Sequence, residues 1–222
     1  MKPSVIVRPA VWRCEHSHSG VDHPQCWERF TNSLNNGKVG YLDIESTQLK
    51  ADFGIMLSWA IKTRGKDEMF SESISGEDLT TWLPDKKRYK FDYEIVKHLV
   101  EKMKEYEWIV TYYGTGFDLK FIRTRALYWG LDFPIYGVVK HKDVYYMVRG
   151  RLLLHSNRLE SVCEFFGIKG KTPLKGSTWV NALAGDEKAL AYINLHNRKD
   201  VEILEKVHNL IEAYVSTTRR SI

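Results

Sequence analysis

No stretch of this 222-residue chain approaches eighteen consecutive apolar residues, so no membrane span is expected. The opening Met1-Lys2-Pro3-Ser4-Val5 has no apolar segment ahead of a small-residue cleavage site, and no signal peptide is expected either. Cysteine is scarce and odd in number, with Cys14, Cys26 and Cys163. Without a secretion signal, that count argues against a disulfide framework and makes the cytoplasm the expected compartment. Neither sign of charge dominates. The net charge of +5 and pI near 8.9 agree with a polyanionic partner, but many unrelated soluble proteins share them. A complete P-loop is missing as well. Gly170-Lys171-Thr172 has the look of its end, but Phe165 stands where the required glycine belongs, which excludes triphosphate binding by that route. What remains, 43% hydrophobic and 27% charged, is the composition of one folded domain with room for a small appendage.

The most informative stretch is Tyr41-Leu42-Asp43-Ile44-Glu45. A strand sends alternate side chains to opposite faces, so Leu42 and Ile44 can enter a core while Asp43 and Glu45 stand together on the other side. Two carboxylates so placed repel each other and are costly to bury unless a cation lies between them. A hard divalent ion with oxygen ligands is the usual cation. Read alone, the pair fits two ordinary surface acids equally well. Downstream, Asp118 follows Tyr113-Gly114-Thr115-Gly116-Phe117, and Asp200 closes His196-Asn197-Arg198-Lys199-Asp200. Thr115-x-x-Asp118 is also a capping-box pattern, which offers Asp118 a purely structural role. His196 and Asp200 share one helix face, one turn apart.

Taken together, Asp-x-Glu on a strand, Phe-Asp opening a helix and a late helical Asp resemble the DnaQ-like, or DEDD, exonuclease superfamily. The similarity runs from about Val39 onward. It is greatest to the phage and prokaryotic branch, in which a Tyr lies four residues before the last Asp. The resemblance implies an α/β, ribonuclease H-like fold, with a mixed sheet of antiparallel meander and parallel strands flanked by helices. It implies a two-metal-ion 3′–5′ exonuclease in which Asp43, Glu45 and Asp200 hold one Mg²⁺ or Mn²⁺. Asp43 would bridge to the second ion, and Asp118 would help to fix it. Here the chain departs from its relatives, because His196 occupies the Tyr spacing. An imidazole can deprotonate the attacking water; packing beside the site is the competing role. The expected partner is DNA or RNA, presented as a single-stranded 3′ end, together with a replication or repair partner. A structure-specific endonuclease and a non-catalytic nucleic-acid-binding module are the alternatives.

Residues 1–36 differ from residues 37–222, which form the expected exonuclease domain. Cys14-x-His16 and His23-x-x-Cys26 can supply two pairs of ligands to one structural Zn²⁺, with His18 competing for the place of His16. A His-rich surface loop is the alternative. Thr31–Asn36 is a polar connector. Two basic stretches are candidates for phosphate contact: Lys86, Lys87 and Arg88 with the ring of Tyr89 or Trp82, and the loop carrying Lys169, Lys171 and Lys175. Either can equally be a solvated loop.

The remaining pattern predicts strands over 40–45, 53–62 and 68–74 with a hairpin turn at 64–67, and a short buried strand over 108–111. Helices are expected over 91–105, 117–129 and 158–166, the last capped by Asn157 or Ser156, with a long C-terminal helix over 187–214. His141–Arg149 reads as a further strand carrying Asp143.

Overall fold

The computed structural model describes residues 13–14, 16–26, 37–170 and 172–215. The chain divides into two compact units, Met1–Gly37 and Lys38–Ile222. The connector Thr31–Asn36 lies outside the described residues. In the first unit, an antiparallel bridge joins Arg13 to Ser19. Within it the Ser17 N–H donates to the Cys14 carbonyl at 2.8 Å and the Cys14 N–H to the His18 carbonyl at 3.0 Å. A helical turn over 24–26 follows.

The second unit is built on strand β1 (Val39–Ser46), which pairs antiparallel with β2 (Met56–Thr63). Strand β3 (Met69–Ser73) pairs antiparallel with β2, completing the expected meander. Strands β4 (Trp82–Leu83) and β5 (Arg88–Tyr89) form a separate small hairpin. Strand β6 (Trp108–Thr111) pairs parallel with β1, and β7 (Lys140–Asp143) parallel with β6. The sheet order is therefore β3-β2-β1-β6-β7. Among the described residues of this unit, six α-helices accompany it: α1 (Tyr93–Met103), α2 (Asp118–Trp129), α3 (Val144–Arg151), α4 (Leu159–Phe166), α5 (Gly176–Leu183) and α6 (Glu187–Ile211). This is the mixed sheet with flanking helices that the sequence led us to expect. Among the described residues, no helix is long and apolar enough to cross a membrane.

Both faces of the sheet are covered, and the alternation along β1 decides which side chain goes where. Leu42 and Ile44 join Ile95, Val96 and Leu99 of α1 and Leu119 and Ile122 of α2 in one core. Tyr41 points the other way, into a second core with Val144 and Val148 of α3 and Val201, Leu204 and Val207 of α6. Period two places Asp43 and Glu45 on the Tyr41 side, under α6. The β1–β2 register slips between Glu45 and Ser46. Such a bulge bends a strand and re-aims the neighbouring side chain.

Several local expectations are corrected. His141–Arg149 is not one strand. Asp143 ends β7 and caps α3 by accepting the Tyr145 N–H at 3.1 Å, so the chain turns helical there. Neither Ser156 nor Asn157 caps α4. Ser156 Oγ accepts only the N–H of Arg158, which is itself the N-cap, and the Asn157 carbonyl accepts the Tyr112 hydroxyl at 2.6 Å. The α-helical part of the C-terminal helix stops at Ile211 and continues as a 3₁₀ turn over Glu212–Tyr214. Lys86–Arg88 is the turn of the β4–β5 hairpin and the start of its second strand rather than an open loop. Helix α5 falls in a segment left unassigned by the sequence pattern.

One buried ion pair ties these elements together. Asp92, fully buried at the start of α1, accepts from Arg125 Nε at 2.8 Å and Arg125 Nη2 at 2.6 Å. It also accepts from Trp129 Nε1 and from the Met56 N–H, both at 2.8 Å. Arg125 Nη1 reaches the Ala51 carbonyl at 3.2 Å. Helix α2 is thereby fixed to the loop that leaves β1. Removing one partner of such a pair strands the other charge in the interior. Arg125→Met is expected to cost about 3–5 kcal/mol of stability, read as a lowered urea midpoint; an unchanged midpoint would contradict this role.

Candidate active site

Asp43 and Glu45 come from β1, Asp118 is the first residue of α2, and Asp200 lies in the middle of α6. The fold brings these segments to one place. The Ile44 N–H, between the two β1 acids, donates to Asp118 Oδ1 at 3.3 Å. Asn197, one turn before Asp200, donates from Nδ2 to Asp43 Oδ2 at 2.5 Å. His196 Nε2 stands 3.5 Å from Glu45 Oε1 and 3.5 Å from Asp200 Oδ2. Its Nδ1 is 2.7 Å from Thr172 Oγ1. The segment that follows α4 therefore passes directly beside the acids.

Electrostatics report the same convergence. Burial pushes the Asp43 carboxyl well above the usual carboxylate range, and the charges of Asp200, Asp118 and Glu45 push it further, in that order. The hydrogen bond from Asn197 works in the opposite direction. Asp118 is raised to about 7, mainly by burial, with the negative charge of Asp143 adding to it. Its own N–H and that of Ile44 pull it back down. The capping box is not formed. Phe117 is the N-cap of α2 and no side chain caps the helix, so the Asp118 carboxylate is turned toward β1 instead. Buried oxygen donors that raise one another's pKa in this way are suited to a hard divalent cation.

Four further residues hold the site and were not singled out from sequence as parts of it. Asn197 receives the Ser58 hydroxyl on its Oδ1 while it donates to Asp43, and Ser58 faces Glu45 across the β1–β2 ladder. A polar residue inside the otherwise apolar run Met56–Ile61 was the available signal. Thr172 fixes the His196 ring. Asp143 accepts the N–H groups of Tyr113 and Thr115, both at 2.9 Å, and so shapes the loop that leads into Asp118.

The basic candidates fare differently. Lys86 Nζ lies over the Tyr93 ring at 4.7 Å, and the Arg88 guanidinium over Tyr128 at 4.4 Å. These two cations pack against helices α1 and α2 of their own fold, whereas Lys87 and Tyr89 are exposed at the hairpin. Lys169 and Lys175 are exposed in the segment that contains Thr172, and Lys171 lies outside the described residues. Tyr192 does not approach the acids by its hydroxyl, which donates to the Pro173 carbonyl at 2.9 Å. Of two shallow surface grooves, one of about 420 Å³ beside β3 and one beside α5, neither is lined by any of the four acids.

In the first unit, Cys14, His16, His23 and Cys26 offer ligand atoms that all lie within 4.8 Å of one another. Cys14 Sγ is 3.7 Å from His16 Nδ1 and 3.6 Å from His23 Nδ1, and Cys26 Sγ is 3.9 Å from His16 Nδ1. His18 is outside this group; its ring centroid is 5.4 Å from that of His23 and 6.4 Å from that of His16. Among the described residues, no three of the four acids close so tightly.

A five-stranded mixed sheet with carboxylates gathered beside its central strand defines the class, a ribonuclease H-like domain. Residues 40–212 match the family model of the RNase_H superfamily, and the chain belongs to that superfamily. It is 30% identical over 131 residues to a DNA polymerase of Methanocaldococcus jannaschii, an alignment covering 50% of this chain and 8% of that protein. The chain thus spans a small fraction of that relative. Its fold is similar to that of the family B DNA polymerase from the hyperthermophilic archaeon Pyrobaculum calidifontis. The TM-score is 0.58 at 17% identity, covering 78% of this chain and 24% of the other. Membership of the superfamily supports a nuclease-type activity.

The raised carboxyls make stability depend on pH with a definite sign. Asp118 binds its proton more tightly folded than unfolded, so its contribution is present at acid pH and is lost as pH rises through about 7. In EDTA, thermal midpoints compared from about pH 5 to pH 8 should fall more for the wild type than for Asp118→Asn. Parallel curves for the two chains would refute this electrostatic account.

Proposed function

We propose that the chain is a metal-dependent 3′–5′ exonuclease that hydrolyses phosphodiester bonds of DNA or RNA and releases nucleoside monophosphates. The observation that carries this reading is the meeting of Asp43, Glu45, Asp118 and Asp200 from three distant parts of the chain, close enough for each to load Asp43 with unfavourable charge. Folding alone gains nothing from that repulsion. Two Mg²⁺ or Mn²⁺ ions would offset it, and when bound they supply Lewis-acid activation of the phosphate and a water acidified toward hydroxide. Asp43, Glu45 and Asp200 would hold one ion, and Asp43 and Asp118 the other.

The chain's own residues then divide the remaining work. Asn197 keeps Asp43 in place through its hydrogen bond, and Ser58 keeps Asn197 in place. In the tautomer in which Nδ1 of His196 donates to Thr172 Oγ1, Nε2 would keep its lone pair, and it faces Glu45 and Asp200. A water lodged between those carboxylates and a phosphate can pass its proton to Nε2. The exposed Lys169 and Lys175, with Lys171, are the cations proposed to grip the strand beside the site, and Lys87 and Tyr89 those at the hairpin. The likeness to DNA polymerases makes a replication or repair protein the proposed working partner.

A structural zinc is proposed for the first unit. Bonds of about 2.3 Å to sulfur and 2.0–2.1 Å to nitrogen at a tetrahedral angle put S and N about 3.6 Å apart. The three S···N separations, 3.6, 3.7 and 3.9 Å, match that edge. With four protein ligands the site would be closed and would organise the fold of its unit rather than act on substrate. One zinc per chain is expected by elemental analysis of the full-length protein, and Cys14→Ser with Cys26→Ser should abolish it. Zinc-free wild-type protein that keeps its melting profile would rule the site out.

The nuclease reading is tested with 5′-labelled single-stranded DNA and RNA in Mg²⁺ or Mn²⁺. A ladder shortening from the 3′ end is expected, with no products from Asp43→Ala. Turnover of His196→Ala should fall roughly 10²–10⁴-fold. Internal cuts would replace the exonuclease by an endonuclease, and retention of the strand without cleavage would leave a binding module.

A further inference from the structure

We infer that the open edge of β3 is a docking strand for an extended, acidic segment of a partner protein, which would add one more strand to the five-stranded sheet. The inference does not rest on the nuclease reading, because none of the four acids lines the groove beside this strand.

Strand β3 ends the sheet order, so among the described residues one of its edges has no strand partner. Which backbone groups lie on that edge follows from the register. The Thr63 N–H donates to the Glu68 carbonyl and the Ile74 N–H to the Leu57 carbonyl, both at 2.9 Å. Antiparallel pairs alternate between residues that exchange hydrogen bonds and residues that do not. Phe70 and Glu72 are thus turned to β2, opposite Ile61 and Trp59, while Met69, Ser71 and Ser73 turn their N–H and C=O groups outward. The β2–β3 pairing runs without a bulge, and Met69–Ser73 holds no proline and no lysine. Proteins usually guard an exposed edge with one of those devices. This edge is left fit for pairing.

The groove of about 420 Å³ lies along this strand. On the α1 side, Trp59 and Phe70 give it an apolar wall. Lys102 Nζ stands 4.0 Å from the centre of the Phe70 ring, and His98 Nδ1 is 3.0 Å from Glu72. From α6 comes Arg198, which is exposed and, among the described residues, makes no ion pair or hydrogen bond. Trp59 is 4% exposed, and among the described residues its buried Nε1–H finds no acceptor. Asn194, one turn before Arg198, accepts the Ser71 hydroxyl at 3.1 Å, while its buried Nδ2 has no acceptor among the described residues. Buried donors left unsatisfied are costly. A groove whose unanswered groups are donors and a cation takes a ligand rich in acceptors.

An extended peptide supplies those acceptors in two ways. Its backbone pairs with the outward groups of Met69, Ser71 and Ser73, and its side chains alternate between the two faces of the sheet. Apolar side chains on one face meet Phe70 and Trp59, and carboxylates on the other meet Arg198. Glu72, the one acid of β3, is held by His98. A second copy of this chain is the poorer fit, because two-fold pairing of identical edges brings Arg198 and Lys102 along again with no further acid from the strand. A nucleic-acid strand would answer Arg198 but offers no row of N–H groups at strand spacing to the outward carbonyls.

The test uses the full chain and a fluorescein-labelled peptide of alternating valine and aspartate, with a valine–lysine peptide as control. Fluorescence anisotropy should show binding of the acidic peptide and none of the basic one. On adding the acidic peptide, amide hydrogen exchange should slow at Met69, Ser71 and Ser73. It should stay unchanged at Phe70 and Glu72, whose N–H groups already face β2. Arg198→Glu should weaken binding about fivefold or more. Ser71→Pro removes one outward N–H at an edge position, where proline is tolerated, and should abolish binding; melting curves report that each variant is folded. Failure of the acidic peptide to bind, equal binding of the two peptides, or slowed exchange only away from β3 would overturn the docking strand. So would a dimer of the free chain, or a single-stranded oligonucleotide, that protects the same three amides, since either would assign the edge to a different occupant.

Discussion

Like charges held together away from water are the constraint on which this structure turns. Asp43 has three other carboxylates within electrostatic reach, and its own burial is the largest cause of its raised pKa. A fold that gathers such groups sacrifices stability at that point, because interaction energies that water would screen persist in the interior. The surrounding structure reads as a response to this. Asn197 donates to Asp43 and is itself held by the Ser58 hydroxyl, the Ile44 N–H donates to Asp118, and His196 places a polarisable ring between Glu45 and Asp200.

The scaffold has to be stiff for those donors to matter. Strand β1 lies in the middle of the sheet with a partner on each side, and its two faces feed two separate cores. Helix α6 crosses the face that carries the acids and supplies Asp200, Asn197 and His196 from successive positions along one side. Helix α2 is locked by Arg125 to Asp92 and to the Ala51 carbonyl, which fixes the start of the helix, and with it Asp118, relative to the chain leaving β1. The ion pair and the carboxylate cluster are thus opposites. One is a buried pair in which each guanidinium nitrogen has an acceptor, and the other an unmatched group of acids that calls for a cation.

Much of this could be read from the chain. The alternation Leu42-Asp43-Ile44-Glu45 puts two acids on one face of a strand whatever the rest of the fold does, and the apolar spacing over 187–214 marks a long helix. The errors came where a local pattern had two outcomes. His141–Arg149 carries enough β-branched and aromatic residues for a strand, but Asp143 can cap a helix, and tertiary contacts with Tyr113 and Thr115 place it to do so. Thr115-x-x-Asp118 matched a capping box, but a carboxylate that can take the Ile44 N–H in the interior has a better partner than its own helix.

By itself, the sequence determined the periodicities, and with them which residues share a face of β1 and of α6, because side-chain direction follows from backbone geometry alone. The four acids and the four Cys/His residues were visible as types at given spacings. Only the tertiary structure decided that Asn197, Ser58, Thr172 and Asp143 serve the same site. Those relations join positions up to 154 residues apart, as Asn197 and Asp43 are. They depend on strand register and helix packing, which no local pattern encodes.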